Sequence, residues 1–181
     1  MVYILLGNGF EEIEAIAPGD ILRRGGVPLQ YLGVGETLVS GAHGIRICAD
    51  AELDGNMTVC KEDVFVIPGG MGGVESLEAS EAASEVLLRA SAVGAQLAAI
   101  CAGPRVLAKL GLLAGRRITC YPGCESMMKD ALPDTGNSVI LDGVLTGRAP
   151  GSAIDFGLAL LNLLRGKEAA ENVRTDLRYD R

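Results

Sequence analysis

Residues 2–34 read VYILLGNGFEEIEAIAPGDILRRGGVPLQYLGV, and this stretch sets the architecture. Val2 to Leu6 is an unbroken apolar run of strand length, as expected of a strand covered on both faces. Gly7-Asn8-Gly9 turns the chain, and Glu11 and Glu12 open a helix whose positive end favours acids. That helix carries Ile13, Ile16, Ile21 and Leu22, tolerates a kink at Pro18, and stops at Gly25-Gly26 after Arg23-Arg24. A second strand over 27–34 completes a β-α-β unit, whose strands are parallel and joined right-handedly.

The same alternation continues downstream. Residues 37–50 carry turn residues Ser40, Gly41 and Gly44 between β-branched runs, which predicts a hairpin. Strands are expected at 64–67, 96–100 and 118–120, and helices at 74–79, 81–93, 103–113 and 124–131. Asp142-Gly143 between two apolar runs predicts a second hairpin, and a last helix runs from Ser152, a candidate N-cap, to Leu164. Repeated β-α-β units predict an α/β fold, a doubly wound and mostly parallel sheet with helices on both faces. With no linker or internal repeat, residues 1–181 are expected to form one domain.

Composition narrows the function. The chain has 181 residues, 49% hydrophobic, enough to bury about two-thirds of its unfolded surface and to exclude disorder. Sixteen basic against 23 acidic residues give a net charge of −7, which argues against a nucleic-acid partner. No apolar run is long enough to span a membrane. The start, MVYILLGNGFEE, has no basic n-region and reads as a strand, not a signal peptide. Five cysteines, an odd number, fit a reducing, cytoplasmic setting. With His43 the only histidine, a zinc site of ordinary spacing is not expected, since Cys120 and Cys124 are two ligands short.

Ligands of open α/β sheets bind beyond the carboxyl ends of the strands, and three such ends are unusual here. Gly7 to Glu14 resembles the opening of a dinucleotide fingerprint, but Glu12 occupies the third glycine position and would repel a pyrophosphate. Pro68-Gly69-Gly70-Met71-Gly72-Gly73 is either a flexible loop or a set of backbone donors for an anion. Ala98-Ala99-Ile100-Cys101-Ala102-Gly103-Pro104 puts Cys101 between strand and helix, flanked by small residues. That is the layout of a nucleophile elbow, where the helix N-terminus is expected to lower the thiol pKa; the alternative is a buried structural cysteine.

Together with Gly147-Arg148-Ala149-Pro150-Gly151, these motifs resemble the ThiJ/PfpI superfamily, in the protein deglycase or glyoxalase III-like branch of Parkinson disease protein 7. The likeness covers residues 1–176. It implies a flavodoxin-like fold of the class I glutamine amidotransferase type, a homodimer, and neither cofactor nor metal. It also implies a cysteine-dependent enzyme that acts on a small aldehyde or glycated substrate, converting methylglyoxal to lactate. The alternative within the same branch is a redox-sensing or stress-response protein using the same cysteine without turnover. Under the resemblance, Cys101 is the nucleophile and Glu14 the acid that hydrogen-bonds its sulfur. Gly69, Gly70 and Ala102 supply backbone donors, and Pro150 lies on a loop near the pocket. Arg24, His43 and Cys48 fall on the dimer-contact segments. The chain departs from the pattern at Tyr121, where many members carry a histidine. A phenol is a poor base at neutral pH but can donate a hydrogen bond, so the role of Tyr121 falls to substrate binding.

Overall fold

In the computed structural model, which describes residues 1–180, the apolar runs become the strands of one seven-stranded sheet. Strand β1 (Val2–Leu6) leads into helix α1 (Glu12–Arg24) and then β2 (Leu29–Gly33). An antiparallel hairpin follows, β3 (Leu38–Ser40) and β4 (Arg46–Cys48), standing outside the main sheet. The short β5 (Ala51–Glu52) returns to it beside β2. After β6 (Val64–Ile67) come α2 (Met71–Ala79) and α3 (Glu81–Val93), then β7 (Gln96–Ile100) and α4 (Pro104–Lys109). A parallel pair, β8 (Arg117–Ile118) and β9 (Leu132–Pro133), flanks a 3-10 turn at Glu125–Met127. The hairpin β10 (Val139–Asp142) and β11 (Val144–Gly147) precedes α5 (Ala153–Arg165) and α6 (Lys167–Asp176).

The sheet order is β10-β11-β7-β6-β1-β2-β5, all parallel except β10 against β11. From β1 the chain builds outward through β2 to β5, then crosses back to β6 and builds the other way. The topological switch therefore lies between β1 and β6, which is where a crevice for a ligand opens. Helices α1 and α5 pack together over one side of the sheet, and α2, α3 and α4 form the other set. Gly157 of α5 lets the helices close in, since a Cβ there would sit 2.8 Å from Ile21 Cδ1 and 3.0 Å from Pro18 Cα. Ile4, Leu5, Leu6, Phe65, Val66 and Ile67 are wholly buried, as expected of strands sandwiched by helices.

Several boundaries differ from the sequence expectation. The helix expected over 103–113 ends at Lys109, because Gly111 and Gly115 take positive φ (75° and 71°) and turn the chain. The helix expected at 124–131 is only a 3-10 turn, and the strand expected at 118–120 is Arg117–Ile118. Helix α2 starts three residues early, at Met71. Helix α6 was not anticipated; its three buried or half-buried apolar positions are too sparse to stand out from the polar face. Ser152 precedes α5, but its Oγ serves the turn before it, accepting from Ala149 N–H at 3.1 Å and Arg148 N–H at 3.2 Å.

Candidate active site

The end of β7 carries a left-handed bend at Cys101. Cys101 has φ of 63°, a left-handed conformation that costs a non-glycine residue about 1–3 kcal/mol and persists only where its surroundings enforce it. They do so on both sides. Cys101 N–H donates to Gly147 C=O at 2.9 Å, continuing the register with β11, and Gly103 N–H closes back on Ile100 C=O at 2.8 Å. Gly103 cannot be larger, because a Cβ there would press on the carbonyl oxygen of Ile67. The bend projects Cys101 from the sheet edge, where it is 8% exposed.

Helix α1 brings Glu14 to the same point. Its first turn faces inward with the acids, not the isoleucines: Glu14 is wholly buried while Ile13 is 55% exposed. Glu14 Oε2 accepts Gly69 N–H at 2.7 Å, which takes that amide out of the set open to a ligand. Glu14 Oε1 is buried without a hydrogen-bond partner among the described residues. Gly69 is the spacer between acid and thiol, since a Cβ on it would lie 2.6 Å from Glu14 Oε2 and 2.9 Å from Cys101 Sγ.

Burial raises the Glu14 carboxyl to about 7, against the lowering effects of the Cys101 side chain and the Gly69 amide. The Cys101 thiol is also pushed up, first by burial and then by the charge and hydrogen bond of Glu14, while the Ala102 and Gly70 amides oppose the shift. This reverses the sequence expectation for the isolated thiol. The helix end and the backbone amides do favour a thiolate, but desolvation outweighs them. The two groups therefore act as a unit in which an ionised Glu14 is the base that can take the proton from sulfur.

Gly70, Cys101, Ala102, Tyr121 and Pro150 wall one open pocket of about 640 Å³. Glu14 and Gly69 lie beneath it. Gly70, at φ 84°, is the residue before α2, so its amide and that of Ala102 face the sulfur. Tyr121 is held there by its own backbone, whose N–H donates to Cys101 C=O at 2.9 Å. The residue is 46% exposed. Arg24 and Cys48 are not part of this group. Arg24 pairs with Asp20 at 2.7 Å on the outer face of α1, and the exposed Cys48 borders a separate cavity of about 350 Å³.

Sequence reasoning missed Glu11 and Met71 on the pocket wall, which Cys124 also lines, and it placed His43 only on a contact hairpin. His43 lines the pocket of its own chain, its Nδ1 2.9 Å from Glu12 Oε2 and 3.4 Å from Glu11 Oε2. The Glu12 hydrogen bond and the Glu11 charge raise the imidazole pKa. Burial would raise Glu12, but His43 and three backbone amides outweigh it and hold that carboxyl below its ordinary value. Glu11, Glu12 and His43 offer ligand atoms within 4.8 Å of one another, the one such group among the described residues able to hold a metal. The one sequence signal for this cluster was the Glu11-Glu12 pair after a glycine turn; its contact with His43 is long-range.

Among the described residues no helix is long and apolar enough to cross a membrane. The DJ-1/PfpI family description matches residues 1–163. Parkinson disease protein 7 homolog of Danio rerio is 34% identical over 178 residues, covering 96% of this chain and 94% of that protein. Glutathione-independent glyoxalase DJR-1.2 of Caenorhabditis elegans is 36% identical over 171 residues, 90% of this chain and 87% of that protein. The crystal structure of DJ-1beta from Drosophila melanogaster superposes with a TM-score of 0.92 at 31% identity, covering 99% of this chain and 98% of that one. A motif set spread over three strand ends, a model match over nine-tenths of the chain and full-length structural likeness agree: this chain belongs to the DJ-1/PfpI family.

Proposed function

We propose that the protein is a cysteine-dependent, cofactor-independent enzyme acting on reactive carbonyls, with an α-oxoaldehyde such as methylglyoxal as substrate and the hydroxyacid as product. The observation that carries this reading is the buried Glu14–Cys101 pair under an open pocket, with the carboxyl raised to about 7. At neutral pH a fraction of Glu14 is ionised and takes the thiol proton as Sγ adds to the aldehyde carbon. The resulting hemithioacetal oxyanion lies by the Gly70 and Ala102 amides, which are fixed before the reaction and need no reorganisation. Glu14 then moves a proton from the former aldehyde carbon through an enediol to the neighbouring carbon, leaving a thioester. Water releases lactate and restores the thiol, so methylglyoxal plus water balances lactic acid. Gly69 acts here as a positioning residue for Glu14, Tyr121 as a hydrogen-bond donor to the substrate, and Pro150 as pocket wall.

A homodimer is part of the proposal, with Arg24, His43 and Cys48 on or near the contact face. Exposed Ile13, Ile16 and Ile45, all over 40% accessible on α1 and the neighbouring hairpin, support a covered face there. The second reading, a redox-responsive protein, is supported by a different observation: Cys101 sits at the floor of a pocket that admits small oxidants, with two further buried thiols on the adjoining loop. Lactate formation from methylglyoxal separates the two. The wild-type chain is expected to produce it, and Cys101→Ala and Glu14→Gln to lose it. Equal rates in the wild type and Cys101→Ala reject the enzyme.

A further inference from the structure

Carbonyl chemistry leaves two buried thiols beside the site unused. Cys101 and Cys124 both line the pocket, Cys120 precedes Tyr121, and all three are free and buried. Two backbone hydrogen bonds hold the segments together. Tyr121 N–H donates to Cys101 C=O at 2.9 Å, and Cys124 N–H donates to Tyr121 C=O at 2.9 Å, closing a turn over 121–124. The ends of such a turn lie within about 7 Å of each other. Cys124 is thereby folded back beside the residue pinned to Cys101. Within that turn, a Cβ on Gly123 (φ 95°) would meet nothing within 4 Å, so that side of the turn is open. Cys120, by contrast, does not reach the pocket wall.

We propose that Cys124 is the resolving thiol for Cys101, making the site a reversible two-cysteine reductant of small hydroperoxides. The proposal rests on Cys101 being the nucleophile of the reading above. Cys101 Sγ attacks the distal oxygen of a hydroperoxide; the O–O bond breaks, the sulfur is oxidised to a sulfenic acid, and the peroxide leaves as its alcohol or as water. Glu14 takes the thiol proton and returns it to that leaving oxygen. Cys124 Sγ then attacks the sulfenic sulfur, the S–S bond forms, and the hydroxyl departs with the Cys124 proton as water. Two equivalents of a small thiol reductant return both cysteines to thiols and leave as their own disulfide. Resolution by Cys124 competes with a second peroxide, which would carry Cys101 to the sulfinic acid that thiols do not reduce.

The full-length chain is exposed to one equivalent of hydrogen peroxide without reductant. Free thiols are then alkylated, and the peptides are read by mass spectrometry. The expected first product is a Cys101–Cys124 disulfide that dithiothreitol reverses. Cys124→Ser and Cys124→Ala, given two equivalents of peroxide, should each instead accumulate Cys101 sulfinic acid, while Cys120→Ser keeps the disulfide; circular dichroism of each variant checks that it is folded. Cys101 sulfinic acid with Cys124 still free in the wild type overturns the proposal, as does a first bond to Cys120, and both leave the carbonyl reading standing. A Cys101 inert to peroxide and aldehyde alike removes both readings together.

Discussion

Replacing Glu14 by glutamine should flatten the stability of the protein across the acid-to-neutral range. Glu14 is wholly buried, and its carboxyl stands at about 7 against an ordinary value of 4.5. The folded chain therefore binds this proton more tightly than the unfolded chain. Below pH 4.5 both states hold the proton and the wild type keeps its full stability; as pH rises to about 7 the unfolded state releases it first and stability falls. A difference of about 2.5 in pKa corresponds to about 3 kcal/mol lost across that window. A glutamine still accepts the Gly69 amide and carries no titrating proton. Urea unfolding of the wild type and Glu14→Gln at a series of pH values isolates the effect, because His43 and the surface acids are common to both chains. The variant should gain about 3 kcal/mol on the wild type between pH 4.5 and pH 8. A difference that stays flat, or that moves in favour of the wild type as pH rises, refutes the argument that burial governs this carboxyl.

Gly103→Ala forces a methyl group against the backbone carbonyls of Ile67 and Ile100, which cannot swing aside, and should destabilise the chain by about 3 kcal/mol in thermal unfolding. The same change at Gly151, where a Cβ meets nothing within 4 Å, should leave stability unchanged within about 0.5 kcal/mol. The His43 imidazole, followed by NMR, should titrate above 6.5 in the wild type and fall back toward that value in Glu12→Gln, which removes its principal partner.

The strands and the three strand-end loops were legible because each announces itself locally: a buried apolar run, then glycine or other small residues. Cys101 was legible for the same reason, since small residues on both sides of a thiol at a strand end have few uses besides a tight bend. Glu14 was not legible from periodicity. Apolar residues normally mark the inward face of a helix, yet Ile13 and Ile16 face outward here while Glu12 and Glu14 face in. That inversion is what a functional site does to an amphipathic pattern, and the family resemblance carried the assignment where spacing could not. The direction of the thiol pKa was also beyond reach, because the helix end is local and visible while desolvation depends on the whole pocket. His43 and Cys124 reach the pocket through a hairpin and a turn whose positions no local pattern encodes.

The claim that Glu14 controls the proton on Cys101 is tested most directly by the pH dependence of Cys101 alkylation. Iodoacetamide incorporation at the Cys101 peptide should rise with pH through a midpoint near 7 in the wild type. In Glu14→Gln no base remains to take the thiol proton, so incorporation should rise only as the thiol itself ionises, and burial holds that midpoint above 9.0, the ordinary value for a thiol. The same midpoint in both proteins contradicts the account.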